Sequence, residues 1–225
     1  TIMALAATMI GMDITGVATV ITQVELDFHV GLVTAQWMLN VYALFFGVAI
    51  VTGGKLGDLF GHRQNLLIGL LLFAVTSLFI ALASQAWIAI VARAIQGLGG
   101  ALMWPSLVAI AFNSVPSDRS GFAVGIVLGA AGFGNVLGPL IAGLGAEFIS
   151  WRVIFWINLP LAIIIGSMLI KLVPKATVHI RESIDFIGMT VFSIALFALI
   201  FMLDVVARWG WASSGVIILT AIAIL

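Results

Sequence analysis

Two charged side chains stand where charge is expensive. Asp13 sits in Ile10-Gly11-Met12-Asp13-Ile14, and Arg93 in Val91-Ala92-Arg93-Ala94-Ile95-Gln96-Gly97, each inside a long apolar run. An ionisable group in hydrocarbon normally faces a cavity or a partner and marks an ion or substrate path. A carboxyl taken out of water can gain and lose a proton near neutral pH. Arginine keeps its charge, so its work would be to hold a carboxylate, a substrate anion or a proton-carrying water. A plainer reading stands beside this one: Asp13 as a hydrogen-bond acceptor between helices and Arg93 as one arm of a salt bridge. A bridge made and broken with protonation would be both. Asn40 and Tyr42, with Trp37 nearby, and Gln96 are polar or aromatic positions that could line a substrate path, although core packing explains them equally well. The three histidines, His29, His62 and His179, have no metal-site spacing. No glycine loop ending in Gly-Lys-Ser/Thr is present to cradle a nucleotide, and no nucleophile–base pair suggests an enzyme. No cofactor is implied.

The elements that must position these residues are long and apolar. Of 225 residues 63% are hydrophobic and 8% charged, with a mean hydropathy of +1.29; a soluble domain of this size would need far more charge to cover its surface. The net charge of +0 and the lack of a basic patch give no sign of nucleic acid, and with Cys at 0 there is no disulfide or thiolate site. A spanning helix takes about 20 apolar residues. Seven such runs fall at 1–22, 34–53, 65–84, 87–112, 121–146, 152–173 and 184–207, and 211–225 opens an eighth. Short connections make neighbouring helices antiparallel, so the fold class is an all-α polytopic transmembrane helix bundle. The even connections hold Lys55, Arg63, Arg119, Lys171, Lys175 and Arg181, and the odd ones only Arg152 and Arg208. Six cations against two place the even connections and the N-terminus in the cytoplasm, with Glu25, Asp27 and His29 outside. The chain starts without methionine and stops inside an apolar run, as the ordered part of a longer polypeptide would.

Between the second and third runs lies Gly54-Lys55-Leu56-Gly57-Asp58-Leu59-Phe60-Gly61-His62-Arg63-Gln64. It reads as a short charged loop, with glycines permitting the turn and Asp58 capping a helix or pairing with a cation. The pattern Gly-x-Leu-Gly-Asp-x-x-Gly-x-Arg resembles the signature loop of the major facilitator superfamily, with Leu59 and His62 where arginine or lysine is usual. In that family Gly54, Gly57, Asp58, Gly61 and Arg63 would serve conformational gating. Arg93-x-x-Gln96-Gly97 resembles the family's fourth-helix motif, linked to proton coupling with Asp13.

The fifth run carries two small-residue stripes, Gly125-x-x-x-Gly129 and Gly134-x-x-x-Gly138, each suited to close helix contact in lipid, and Pro139, which removes a backbone donor. Gly134-x-x-x-Gly138-Pro139-x-x-Ala142-Gly143 resembles the family's antiporter motif, found in exporters, with Ala142 in place of glycine. Trp151-Arg152-Val153-Ile154-Phe155-Trp156-Ile157-Asn158-Leu159-Pro160 reads as an interfacial anchor and resembles a stretch of the fourteen-helix drug:proton antiporters. So do Met12-Asp13-Ile14-Thr15, with Ala18 and Thr22 departing from that pattern, Asp185-x-x-Gly188 and Trp209-Gly210-Trp211; Asp204 reads as an interface charge. The resemblance implies a major facilitator fold: a six-helix bundle over 1–173, a cytoplasmic connection over 174–183, and a seventh and the start of an eighth helix over 184–225. It implies proton-coupled efflux of small hydrophobic molecules, cationic ones fitting most simply, across the inner cell membrane, with substrate, protons and the bilayer as partners. Uptake or facilitated passage of a nutrient or lipid, and a transporter-like subunit that moves nothing, are the competing readings; substrate and oligomeric state cannot be read from the sequence.

Overall fold

The computed structural model describes residues 2–174 and 186–224. Lys175, His179, Arg181 and Asp185 lie outside the described residues. Among the described residues all regular structure is helical: α1 (Ile2–Thr19), α2 (Ile21–Phe28), α3 (Leu32–Phe60), α4 (His62–Ala81), α5 (Ala86–Asn113), α6 (Ser120–Phe148), α7 (Val153–Leu172), α8 (Phe186–Trp209) and α9 (Ser214–Ile224), with one short 3₁₀ turn at Ser117–Arg119. Six of these helices are long and apolar enough to cross a membrane: α1, α3, α4, α5, α6 (counted with the 3₁₀ turn) and α7. Their backbone hydrogen bonds run within each segment except where Pro105, Pro139 and Pro160 lie inside α5, α6 and α7.

The ends of the elements differ from the sequence expectation in two places. The first run extends past residue 22, because α2 follows α1 after a break at Val20 and carries Glu25 and Asp27 within a helix. The connection shrinks to 29–31, with His29 in the left-handed conformation at φ 54°. The signature stretch is likewise no open loop. Helix α3 runs on to Phe60, α4 begins at His62, and the chain reverses through Gly61 alone, at φ 93°. That backbone angle suits glycine and strains other residues, so ten of the eleven residues stay helical and Asp58 caps nothing.

The bundle has two ends that can be told apart by its ties. At one, Arg63 donates to Ile170 O at 2.9 Å, bringing the α3–α4 reversal to the C-terminal end of α7, where carbonyls lack helical partners. At the other, Arg152 pairs with Asp27 at 2.8 Å and donates to Ala83 O at 2.8 Å. Arg152 is therefore tied to two other segments instead of reaching for headgroups. Trp151 beside it is buried, edge-on to Phe28 and Phe155, so it works as core, while Trp156 stays exposed.

Water is not the solvent here, so packing depends on how closely backbones can approach. The tightest seam joins α1 and α6. A Cβ on Gly134 would meet Thr8 O, and one on Gly138 would meet Thr15 Oγ1, Met12 O at 2.5 Å and Gly16 N at 2.8 Å. The stripe at Gly125 and Gly129 does not do this: a Cβ at either position meets nothing within 4 Å, and the same holds at Gly143. Those three glycines face away from the described helices. A second seam joins α3 and α5, where a Cβ on Gly97 would meet Tyr42 O at 2.6 Å, and a third joins α4 and α5 through Gly69 and Gly99. Helix α8 packs on α3 and α9, with Met202, Val205 and Val216 as its own small core.

The α1–α6 seam makes a testable contrast. Gly138→Leu forces a side chain into backbone and should cost about 1–3 kcal/mol, whereas Gly125→Leu should cost almost nothing. Thermal unfolding of the two purified variants in detergent checks this; equal losses would show that the seam is not what fixes α6.

Candidate functional site

Helix periodicity and depth bring Asp13 and Arg93 together. Asp13 lies about 16 Å along α1 from Ile2, and Arg93 about 10 Å along the antiparallel α5 from Ala86, at about 1.5 Å rise per residue. Both are fully buried, and Arg93 Nη1 stands 2.5 Å from Asp13 Oδ2. The guanidinium is held on all sides: Nε donates to Met38 O at 3.0 Å, Nη1 also donates to Gln96 Oε1 at 2.8 Å, and the Tyr42 ring lies 4.2 Å from Cζ. Such stacking and forked donation is what distinguishes arginine from lysine.

The other carboxylate oxygen is met from α7 and again from α5. Asn158 Nδ2 of α7 donates to Asp13 Oδ1 at 2.9 Å, and Gln96 Nε2 approaches it at 3.5 Å. Ser77 of α4 closes the cluster, accepting from Gln96 Nε2 at 2.7 Å and from Asn158 Nδ2 at 3.1 Å. Five helices thus contribute: α1 the acid, α5 the base and an amide, α3 a ring and a carbonyl, α4 a hydroxyl, α7 an amide. Burying an ion pair costs several kcal/mol per ion unless its remaining hydrogen-bonding capacity is filled, and this cluster fills most of it. Asn158 Oδ1 and the Tyr42 hydroxyl are the buried exceptions, with no partner among the described residues.

The sequence pointed to Asp13, Arg93, Gln96 and Tyr42, and the fold gathers all four. Asn158 and Ser77 it did not single out for this. Asn158 stood inside a tryptophan-rich stretch read as an anchor, and Ser77 is one hydroxyl among several in α4. A period-3.6 reading would have helped, since Asn158 shares a buried face with Ile154, Phe155, Ala162 and Ile165. Asn40 goes elsewhere. It donates to Asp204 Oδ1 of α8 at 2.5 Å, beside a cavity of about 120 Å³ lined by Trp37, Leu44 and Phe201. Asp204 is thereby a half-buried partner and not a bare interface charge. Gln96 and Tyr42 are closed into the ion-pair cluster.

At the reversal between α3 and α4, Asp58 Oδ1 lies 3.2 Å from His62 Nε2. Gly57 makes room for this imidazole: a Cβ there would meet His62 Nδ1, with Cε1 at 2.9 Å. Asn65 ties the neighbourhood down, donating to Gly53 O, Leu102 O and Ser106 Oγ at 2.8–3.0 Å. On the α6 side, Pro139 offers no N–H to Asn135 O, four residues earlier. Thr15 Oγ1 of α1 lies 3.0 Å from that carbonyl and 3.1 Å from Gly11 O, within donating distance of both. A neighbouring helix's hydroxyl thus serves the acceptor that proline leaves free. No group of His, Cys, Asp and Glu among the described residues could hold a metal ion.

Comparison with known proteins agrees with this architecture. The Major Facilitator Superfamily model matches residues 3–225. The chain is 37% identical over 210 residues to the tetracenomycin C resistance and export protein of Streptomyces glaucescens, covering 92% of this chain and 39% of that protein. It is 33% identical over 204 residues to a probable actinorhodin transporter of Streptomyces coelicolor, covering 88% and 35%. Among solved structures, the peptide transporter POT in complex with sulfate superposes with a TM-score of 0.71 at 15% identity, over 96% of this chain and 48% of that one. The POT family transporter PepTSo gives 0.70 at 14%, over 99% and 50%. The chain spans well under half the length of these two curated relatives and about half of these structures, and the structures speak to the fold alone.

The cluster predicts a non-additive pattern. Removing one charge, as in Asp13→Ala, strands the other in a dry site and should cost about 3–5 kcal/mol. Asp13→Asn together with Arg93→Gln should lose markedly less than the sum of the single changes. A double-mutant cycle read by thermal unfolding measures the difference; strict additivity would mean that the two side chains do not depend on each other.

Proposed function

The chain belongs to the Major Facilitator Superfamily, a family of membrane transporters and not of enzymes, and we propose that it works as the proton-carrying part of an exporter of small hydrophobic molecules. The carrying observation is the Asp13–Arg93 pair, fully buried at 2.5 Å and served by three neighbouring helices, α3, α4 and α7. A purely structural contact has little reason to place a full charge pair in hydrocarbon, since well-packed apolar side chains do as well or better. A pair whose acid can be neutralised is different, because its strength depends on whether a proton reaches Asp13.

In this reading the proton and the substrate take turns. With Asp13 ionised, Arg93 holds α1 against α5. When Asp13 takes a proton the Coulombic part of that contact disappears, and the helices regain freedom to rearrange. A substrate that favours the ionised carboxylate then exchanges for a proton, which is antiport; a cationic substrate does so most directly, and a neutral one by occupying the same space. The export direction rests on the α1–α6 seam at Gly134, Gly138 and Pro139, and on the resistance and export roles printed for relatives such as the tetracenomycin C protein. Gating falls to the α3–α4 reversal, with Gly54, Gly57, Asp58, Gly61 and Arg63. That end holds Lys55, Arg63, Arg119 and Lys171, so it faces the cytoplasm by the positive-inside rule, with α2 outside, in the inner cell membrane.

Two measurements test this. Efflux from vesicles carrying the protein should stop when the proton gradient is collapsed, and Asp13→Asn should lose proton-driven efflux while keeping substrate binding. Arg93→Lys should be partly impaired, having the charge but not the planar fork. Gradient-driven efflux of undiminished rate in Asp13→Asn would remove Asp13 from the mechanism. For orientation, the absence of native cysteine allows single introduced thiols: Asp27→Cys should react with an impermeant reagent in intact cells and His62→Cys should not. The reverse pattern would invert the topology.

A further inference from the structure

Asp13 Oδ1 and Oδ2 are both met by donors: Arg93 Nη1 on one, Asn158 Nδ2 and the more distant Gln96 Nε2 on the other. That arrangement suits a carboxylate, which only accepts. It does not suit a carboxylic acid, which brings a hydrogen of its own and needs an acceptor for it. If Asp13 carries a proton, the cluster must offer an acceptor somewhere.

The acceptor is already buried beside it. Asn158 is fully buried, its Nδ2 donates to Asp13 Oδ1 at 2.9 Å and to Ser77 Oγ at 3.1 Å, and its Oδ1 has no partner among the described residues. An amide's two ends have nearly the same shape, so half a turn about its last side-chain bond exchanges oxygen for nitrogen with little change in packing. After the turn Oδ1 would stand where Nδ2 stands now, within reach of Asp13 Oδ1 and Ser77 Oγ. There it can accept the acid's O–H, and Ser77, whose hydroxyl hydrogen rotates freely, can turn from acceptor to donor. One end of the amide is left unpartnered in either orientation, so that penalty does not choose between them. The proton on Asp13 does.

Resting on the reading of Asp13 as the proton carrier, we propose that Asn158, with Ser77, is a positioning residue that switches its amide from donor to acceptor when Asp13 is protonated. The bookkeeping is simple: one proton adds to Asp13, Arg93 keeps its charge, and no bond other than hydrogen bonds forms or breaks. Other charged or titratable groups do not confuse the switch. Helix α5 brings Arg93 and α3 brings Tyr42, while α4 and α7 bring only Ser77 and Asn158, and α6 presents glycines to the Met12–Gly16 stretch. The consequence reaches beyond the acid itself, because Asn158 is the polar link from α1 to α7: protonation changes the polarity of that link without breaking it. Arg93, by contrast, keeps Asp13 Oδ2 only as a neutral acceptor, beside Gln96, Met38 O and the Tyr42 ring.

Infrared difference spectroscopy of the protein in lipid, between high and low pH, reads the switch directly. A carboxylic acid band that Asp13→Asn abolishes reports Asp13 protonation. In protein with isotope-labelled asparagine side chains, an amide C=O band should shift to lower frequency in the same pH interval, as Oδ1 gains a hydrogen bond. In Asn158→Leu that amide signal should vanish and the Asp13 acid band should move to higher frequency, as expected for an acid whose O–H has lost its acceptor; Asn158→Gln should restore part of the shift. A merely structural asparagine would leave the acid band where it is. An Asp13 band accompanied by no asparagine signal in the unsubstituted protein overturns this proposal alone, and that measurement needs no variant to fold. The absence of any Asp13 acid band overturns both this proposal and the reading of Asp13 as carrier.

Discussion

A single dry ion pair organises this bundle. Asp13 and Arg93 meet at 2.5 Å with neither side chain open to solvent, and the surrounding helices are arranged around satisfying them. Met38 of α3 gives up a backbone carbonyl, Gln96 of α5 spans both ions, and α4 and α7 each contribute a polar side chain. In water each of these contacts would be worth little. In a low-dielectric interior they strengthen one another, and leaving any one unmade costs more than making it gains. This is why the pair is weak evidence for stability: the fold has committed groups from five helices to keeping two charges where apolar side chains would pack at less cost.

The rest of the structure is held by shape. Lipid offers no hydrophobic reward for helix association, so the contacts that count are those in which glycine lets one backbone touch another. The seams divide cleanly by partner: Gly134 and Gly138 serve α1, Gly97 serves α3, and Gly69 and Gly99 serve each other's helices. Glycines on the opposite face of α6 meet nothing among the described residues, which leaves that face open to whatever surrounds this part of the protein. Composition cannot separate the two kinds of glycine, since both occur in the same Gly-x-x-x-Gly spacing. Only the position of the neighbouring backbone does.

What could be read from the sequence follows from how local the cause is. Membrane-length helices are local, because hydrophobic length is a property of one segment; of the seven runs expected, the first six appear near their places as membrane-length helices, and the seventh falls on α8. The meeting of Asp13 with Arg93 was legible for a related reason: two unaffordable charges in one apolar bundle have few partners but each other. The signature stretch was misread as a loop because charge and glycine usually mark turns, whereas here glycine at 61 makes the whole reversal and the charged residues ride on helix ends. Trp151 was misread by its type. An amphipathic ring next to an arginine suits an interface, but Arg152 is drawn aside by Asp27 and the Ala83 carbonyl, and the ring packs against Phe28 and Phe155 instead. For Asn158 periodicity marks the buried face but not the partners. Its role depends on two helices far apart in sequence placing a carboxylate and a hydroxyl beside it.

Helix α1 is where the two kinds of force meet, and their difference constrains how it can move. On one side it is held by Asp13 through directional polar bonds whose strength depends on a proton. Two residues on, Thr15 lies within bonding distance of the carbonyl that Pro139 leaves unpaired, and Gly16 and Met12 touch Gly138 at backbone distance. The first contact can be weakened by adding one proton. The second has no comparable release, because separating α1 from α6 would open a void along the seam and strand the Asn135 carbonyl in hydrocarbon. A helix caught between a switchable contact and a fixed one moves with the fixed partner. On the proposed reading of Asp13 as the proton carrier, loosening Asp13 carries α1 and α6 together, away from the α3–α5 pair that Arg93 holds, without any side chain having to travel far.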